Sequence, residues 1–274
     1  MAEFKDWILK EMVALAGNYK GSFFQRLVTA QYMLMPRMDE SALPAFRDLA
    51  EKLKRQHEFL QSKFTFTPTP DDPYKSMKQM TQLIQAQKDA GVRKPNFRVF
   101  AEPPAGTAGR EDPKDGPVGH PALSNDENVM LRGVHDALAH YAGQHPFTAR
   151  GEIGSYNRHL KTLCNRDQAK GGKCLAAQAL FTDLVAQTSC YYIYGSFVEQ
   201  KVGILYDFDH YNVGHLAPNS GLNNFFYVQA KNLVPRPDFR LEEFRRAYPA
   251  LAGELLRQEA LGKSKVPLVP LPRD

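Results

Sequence analysis

Three predicted helices between residues 125 and 205 carry histidines and carboxylates inside or beside their apolar faces. An ionised carboxylate that is buried without a partner is very costly, so such a group pairs with a hydrogen-bonding side chain or binds a metal. A fold that accommodates these segments therefore has to bring them together around a shared polar site. This requirement favours architectures in which several helices face one another.

The remainder of the sequence also follows helical periodicity. We predict an all-α, single-domain helical bundle over residues 1–274, in which 1–73 form N-terminal helices, 74–235 a core that holds a metal site, and 236–274 a C-terminal helix with an extended tail. The Gly/Pro-rich stretch 103–121 is predicted to be a long loop, and 96–103 a minor strand at most. Helices are predicted at 3–16, 20–35, 40–62, 74–91, 125–143, 150–164, 173–205 and 240–261.

Charge and cysteine content limit the environment and the partners of the chain. The formal net charge of +5 permits an anionic ligand, but Lys and Arg are scattered, so no basic cluster indicates nucleic acid. The cysteines Cys164, Cys174 and Cys190 form no CxxC pair, which is typical of a reducing compartment. The N-terminus lacks the order of a signal peptide and no run of 18 apolar residues occurs, which predicts a cytoplasmic protein without membrane contact. No feature indicates an oligomeric state.

The helix predicted at 125–143 begins with a capping-box pattern, Ser124 to Glu127. With ideal α-helical spacing, Asp136 and His140 lie one turn apart on the side opposite the apolar stripe, and His135 lies at the border between the two faces. A solvated polar face is one interpretation of that side. Small residues there favour the other, in which a second helix covers it: Gly133, Ala137 and Gly143.

The next two helices place acids among apolar residues. In GEIGSYNRHLKTL, Glu152 and His159 share one line with Leu163, so either they form a buried hydrogen-bonded pair or they bind a metal. In CLAAQALFTDLVAQTSCYYIYG, Asp183 and Gln187 share an apolar line, where Asp needs a specific partner because it is a poor helix former.

Together these segments predict a metal centre built as helix bundles build them, from inward-pointing acids and histidines. Imidazole and carboxylate ligands without thiolate suit a divalent ion such as Zn, Fe or Mn. The predicted ligands are His135, His140, Glu152, His159 and Asp183, and the predicted catalytic residues are Asp136, Glu152 and Gln187. We expect Glu199 to lie at the surface, although it could also supply a ligand. We expect a polar loop at Asp207, Asp209, His210 and His215, which could likewise supply a ligand.

The order of four segments resembles a family of largely uncharacterised bacteriophage and bacterial proteins. The segments are LRGVHDALAH, RGE, ALFTDLVAQTS and FVEQKVGIL, with YKSMKQM and GHPALSNDEN upstream, and the likeness covers about residues 74–205. The family pattern is roughly FRxVHDxxxH, GE, ALxTExxxQ and EQK, so this chain has Leu131 in place of Phe and Asp183 in place of Glu. The resemblance implies that His135, Asp136, His140, Glu152, Asp183 and Gln187 act as one set. It implies no particular activity.

A metal-dependent hydrolase that acts on an anionic, phosphoester-type small molecule is the favoured function. A bound metal lowers the pKa of water and produces hydroxide near neutral pH. His135-Asp136 is an adjacent HD pair, similar to that of HD-domain phosphohydrolases, which also need an upstream helical histidine. His57 lies in an apolar stripe and His120 in a loop, so neither fits that role well.

Two other functions compete with hydrolysis. One is an oxygen-activating non-haem iron enzyme of the dimetal-carboxylate kind, because several acids and histidines on a helical bundle resemble its ligand supply. The other is a non-enzymatic binding protein in which a buried hydrogen-bond network fixes the helix register. The number of histidines and acids that converge on one stretch disfavours this last interpretation.

Overall fold

The computed structural model describes residues 22–71, 73–101, 120–164, 174–195, 198–230 and 232–263. The predicted helix at 3–16, most of the loop at 103–121 and the tail after 263 lie outside the described residues. The chain divides into two compact units, a central unit of residues 38–180 and a terminal unit of residues 1–37 and 181–274. These bounds differ from the subdivision predicted at residues 73 and 235.

The described residues are mostly helical and include two small sheets. In chain order the main elements are α1 (Phe23–Leu34), α2 (Leu43–Gln61), β1 (Thr65–Thr69), α3 (Met77–Asp89), β2 (Asn96–Phe100), α4 (Asn125–Val134), the π-helical segment π1 (His135–Tyr141), α5 (Ala149–Leu163), α6 (Leu175–Leu180), the π-helical segment π2 (Phe181–Ala186), α7 (Gln187–Tyr194), β3 (Phe226–Gln229), β4 (Asn232–Pro235), α8 (Leu241–Ala247) and α9 (Pro249–Lys263). Short 3₁₀ turns lie at Glu40–Ala42 and Gly221–Asn224.

The sheets each contain two strands, and the sequence indicated only β2 in full. Strand β1 pairs with β2 in parallel, with Thr65 opposite Asn96, and β3 pairs with β4 antiparallel. Pro68 lies inside β1, where its missing N–H can be tolerated because a two-stranded sheet has a free edge on each strand. The all-α prediction is therefore confirmed for the bulk of the described chain but omits these sheets.

In the central unit, α2 packs against α4 and α6 through an apolar stripe that includes the fully buried Leu49 and Leu53. The β1–β2 sheet covers the other side of α4. A Cβ on Gly133 would lie 3.0 Å from the Phe66 ring and 3.4 Å from Val99, so the small residue admits the sheet. The sequence correctly indicated that this face is covered, but a sheet lies at Gly133 where a helix was expected.

Two predicted helices end or break earlier than expected. The helix predicted at 173–205 ends at Tyr194, because Gly195 adopts the left-handed conformation (φ 76°) that terminates helices. The helix predicted at 240–261 is divided into α8 and α9 at Tyr248 and Pro249. Proline is well accepted as the first residue of a helix but poorly inside one, so the break falls at that residue.

In the terminal unit, the EQK segment binds the end of α1 from outside any helix. The ammonium of Lys201 donates to the carbonyls of Met33 and Met35 at 2.9 and 2.6 Å, the groups that the C-terminus of a helix leaves without partners. Glu199 forms an ion pair with Arg37 at 3.1 Å and is half exposed. The expected surface position of Glu199 is thus observed.

The polar segment 207–215 forms a loop whose side chains hydrogen bond within the segment and to neighbouring residues. Asp207 accepts from Gln31 and Ser220, and Asp209 accepts from the N–H groups of Tyr211 and Asn212. His210 is buried with its Nε2 3.1 Å from the Leu205 carbonyl. These contacts support the interpretation of this segment as a polar loop.

Cys164 and Cys174 form a disulfide with Cα atoms 5.8 Å apart, whereas Cys190 is a buried free thiol. The sequence did not indicate this pair because its spacing matches no motif, and a disulfide is not typical of the reducing compartment that the cysteine content suggested. None of the helices that the structure describes combines the length and apolar character needed to cross a lipid bilayer. The cytoplasmic location stays a prediction.

We expect His210 to make the protein sensitive to acid. Burial lowers the pKa of His210 to about 4, so below pH about 6.5 the unfolded chain binds a proton that the folded chain does not. The free energy of unfolding should then fall by about 1.4 kcal/mol per pH unit from this residue until pH 4. His210→Gln keeps a donor for the Leu205 carbonyl but cannot be protonated.

Urea denaturation at pH 7 and pH 4.5, with a chelator present, measures the effect. The variant should lose about 2 to 3 kcal/mol less than the wild type between the two pH values. Equal losses in the two proteins would show that His210 is not the acid-sensitive group.

Candidate metal centre

The π-helical segment π1 brings His135 and His140 to the same side of the chain. In an α-helix, residues five apart project about 140° from each other. The wider π turn, with i→i+5 hydrogen bonds and roughly 4.4 residues per turn, reduces this angle to about 50°. The N–H of Ala142 donates to the Ala137 carbonyl, five residues earlier, in this manner. As a result the Nε2 atoms of His135 and His140 lie 2.7 Å apart.

The opposite side of π1 is anchored on the β1–β2 sheet. The ring of Tyr141 contacts those of Phe64 and Phe97 edge-on, with centroids 5.9 and 5.6 Å away, and its hydroxyl accepts from Lys88 at 2.7 Å. Edge-to-face aromatic contacts and the charge-assisted hydrogen bond hold this end of the segment in place. The orientation of π1 is therefore fixed from outside the histidine pair.

Helix α5 supplies the carboxylate of the site. Its first turn is capped by Thr148, whose side chain accepts from the N–H of Gly151. A Cβ at Gly151 would lie 1.8 Å from the Pro146 carbonyl oxygen, so only glycine lets the incoming loop pass this close to the helix. Glu152 follows immediately and points inward, with an Oε2–His135 Nε2 distance of 3.2 Å and an Oε1–His140 Nε2 distance of 3.4 Å.

His135, His140 and Glu152 therefore form a compact group of donors. One ligand atom from each lies within 4.8 Å of the others, and it is the one group of three or more such residues found among the described parts of the chain. Donor atoms bound at about 2.1 Å to a zinc-like ion are separated by about 3.0 to 3.4 Å. The 3.2 and 3.4 Å distances are of this size but run to different oxygens of the Glu152 carboxylate, and the 2.7 Å contact between the imidazole nitrogens is shorter than this range. The three residues are thus placed where they could hold a metal ion.

The Nδ1 atoms of His135 and His140 each have a hydrogen-bond partner, which leaves Nε2 as the atom that faces the site. The Nδ1 of His140 lies 2.7 Å from the His145 carbonyl, which can only accept, so Nδ1 carries the proton and the Nε2 of neutral His140 presents a lone pair. The Nδ1 of His135 lies 3.3 Å from Nε2 of His159. Such outer hydrogen bonds orient metal-binding histidines in known sites.

His159 is placed behind His135 and is not a member of the donor group. Its ring is fully buried and parallel to that of His135, with an interplanar angle of 5° and centroids 5.5 Å apart. If its Nε2 accepts from His135, the proton of neutral His159 lies on Nδ1, which is buried with no hydrogen-bond partner among the described residues. The sequence correctly indicated an inward histidine, but its position fits a role in orienting His135 better than that of a direct ligand.

The electrostatics favour an ionised carboxylate between two imidazoles. Burial acts to raise the pKa of Glu152, but hydrogen bonds and charge from His135 and His140 outweigh it and hold this pKa at about 2. Burial and the neighbouring His140 lower the pKa of His135. Burial opposes protonation of His140 too, yet Glu152 and the His145 carbonyl raise its pKa above the ordinary value. Glu152 and His140 thus each favour the charged form of the other.

The other predicted site residues differ in how they relate to this group. Asp136 is half-buried on π1 and is not one of the grouped donors, although its charge contributes to raising the pKa of both His140 and Tyr74. Asp183 lies buried in π2, where burial and this carboxylate raise the pKa of Tyr32. Gln187 begins α7. Asp183 and Gln187 belong to the terminal unit, and their part in the site stays a prediction.

The two upstream histidines have local partners. His57 packs against the Phe66 ring with centroids 4.9 Å apart, and burial lowers its pKa. The Nδ1 of His120 accepts from the N–H groups of Ala122 and Leu123, both at 3.0 Å, and its ring lies beside Phe46. Neither is in the donor group, so the upstream histidine that an HD-type phosphohydrolase requires is not found among the described residues.

The loop between π1 and α5 contributes contacts that the sequence did not suggest. The His145 carbonyl orients His140, and the ring of Phe147 contacts that of His140 edge-on with centroids 4.4 Å apart. Backbone carbonyls leave no residue-type pattern, so the first contact has no sequence signal. A proline followed five residues later by a glycine could have indicated that the loop passes close to the start of α5, and this pattern was missed in the sequence.

We expect the contact from His159 to strengthen metal binding. His159→Leu removes the imidazole nitrogen that lies 3.3 Å from Nδ1 of His135 and should weaken Zn²⁺ affinity by about 10- to 100-fold, the effect of losing an outer hydrogen bond. His159→Gln retains a side-chain oxygen near that position and should preserve most of the affinity. Competition with a chromogenic chelator measures it, with circular dichroism as a check on folding. Equal affinities for the Leu and Gln variants would contradict this role.

Comparison of the chain with protein-family models, with curated proteins and with solved structures finds no match. The resemblance to bacteriophage and bacterial proteins accordingly stays a prediction.

Proposed function

We propose that this protein is a metal-dependent hydrolase whose single divalent ion is held by His135, His140 and Glu152. The observation that carries the proposal is the convergence of two imidazole nitrogens and a carboxylate within 4.8 Å in a buried group. Two histidines and one glutamate are the ligand set of several zinc hydrolases, in which a further coordination position is left for water or substrate. A divalent ion held there would lower the pKa of its bound water and so supply hydroxide near neutral pH.

Other residues of the chain would orient the ligands, act as general base and attract the substrate. His159 and the His145 carbonyl would keep the two imidazoles oriented with Nε2 toward the site, since each meets the opposite ring nitrogen. Asp136, next to His135 on the same π turn, is the carboxylate that we assign as general base, within electrostatic range of His140. The positive net charge of the chain suits an anionic substrate such as a phosphoester.

A mononuclear non-haem iron enzyme is the second candidate, and the donor set itself favours it. Two histidines and one carboxylate with open positions also hold Fe(II) in oxygenases. The dimetal form considered from the sequence has less support, because it needs further carboxylates and the one donor group among the described residues has three members. The third alternative, a purely structural network, predicts that these side chains hydrogen bond to one another and hold no ion.

Metal analysis and hydrolysis assays on untagged protein test the proposal. After reconstitution, the wild type should bind about one equivalent of Zn²⁺ or Mn²⁺, and His140→Ala and Glu152→Ala should each weaken binding by at least about 100-fold. The metal-loaded wild type should hydrolyse a chromogenic phosphodiester or phosphomonoester. Asp136→Asn should retain the ion but lower kcat by about 100-fold or more.

His57→Ala is the matched control, because this histidine lies in the same unit but outside the donor group, and it should leave metal binding unchanged. Substoichiometric metal after reconstitution would refute the proposal and favour the structural network. Tight iron binding with a visible absorption band and oxygen consumption, without hydrolysis, would establish the second candidate in its place.

A further inference from the structure

A second pair of polar side chains lies beside the donor group, on the flank of α5. The imidazole of His145 packs directly onto Gly154, where an added Cβ would lie 2.6 Å from its Nδ1. Gly154 is two residues beyond Glu152 on the same helix and about 160° around it, so the His145 ring lies on a different side of α5 from the carboxylate. The carbonyl of His145 also binds His140, so the residue joins the metal centre to this flank of α5 through its main chain.

Arg158 is one helical turn beyond Gly154, on the same side of α5 as the His145 ring. Its charge is among the causes that lower the pKa of His145, after burial and His140, and the charge of Lys161 on the same helix acts in the same direction but more weakly. The Nε of Arg158 is buried and has no hydrogen-bond partner among the residues that the structure describes. The ring nitrogens of His145 likewise have no hydrogen bond or ion pair with any of the described residues.

A buried N–H of a guanidinium group without an acceptor is costly, and Arg158 has one such group at Nε although the residue as a whole is only half-buried. Arg257 shows the usual solution in this chain, with two hydrogen bonds to the carboxylate of Glu254. For Arg158 the described part of the chain gives no such carboxylate partner. An anion that arrives with a ligand would provide the missing acceptor.

We propose that Arg158 and His145 form an anion-binding subsite for the phosphoryl group of the substrate. The guanidinium offers a planar fork of donors that matches phosphate oxygens, and the imidazole offers a further N–H. A phosphoryl group has enough terminal oxygens to accept from both side chains at once and has more acceptors than a carboxylate, which has only two. This inference rests on the proposed function and narrows its substrate class to phosphate esters.

Binding of inorganic phosphate, measured by calorimetry on the full chain with and without Zn²⁺, tests the subsite. Arg158→Gln should weaken phosphate affinity by at least about tenfold in both forms, and Arg158→Lys should recover part of the loss because it restores charge but not the fork. His145→Gln should weaken it by a smaller factor. Lys161→Gln, an exposed cation on the next part of α5, is the matched control and should change affinity less than about twofold.

The subsite is refuted if Arg158→Gln binds phosphate as tightly as the wild type, or if Lys161→Gln causes an equal loss, which would indicate general charge attraction. Acetate that binds as tightly as phosphate would refute the phosphoryl assignment. The metal content of each protein, determined in parallel, separates the two proposals. Failure to bind metal rejects the hydrolase, while the comparison of wild type with Arg158→Gln in metal-free protein still decides the subsite.

Discussion

The candidate site depends on the π-helical geometry of residues 135–141. An α-helix through the same residues would direct His135 and His140 to different sides and leave at least one of them away from Glu152. With the π turn, both Nε2 atoms face the carboxylate at 3.2 and 3.4 Å. π-helical turns sacrifice regular hydrogen bonding and occur most often at functional sites. A function that needs both imidazoles would explain why this one is retained.

The surroundings of π1 hold this irregular segment in place from several sides. The Tyr141 ring packs against Phe64. In the loop at 142–148, a backbone carbonyl binds His140, and Gly151 lets this loop pass close to α5. Each contact is provided by a different element of the central unit. Buried polar groups are stabilising only when their hydrogen bonds are complete, so the geometry of the whole unit determines whether the three donors are well placed.

The sequence predicted several features of this arrangement and missed others for identifiable reasons. Glu152 and His159 were predicted as inward side chains because regular α-helical periodicity applies along α5. His140 was placed on the far side with Asp136, because the angular argument assumed an α-helix, and no residue type marks the change to π geometry. The end of α7 at Gly195 was missed although glycine is a common helix terminator, since apolar periodicity continues past it. The prolines of residues 64–73 predicted a break between helices that allows only a short strand, and β1 is such a strand.

X-ray absorption spectroscopy of the zinc-loaded protein tests the central claim most directly, because it counts the imidazole and oxygen ligands around the ion. Two imidazole nitrogens with oxygen ligands at about 2.0 to 2.1 Å are expected, and the His140→Ala variant, if it retains any zinc at high concentration, should show one imidazole fewer. A spectrum of the wild type with no more than one imidazole would show that the π turn does not deliver both histidines to a common ion, and would contradict the account.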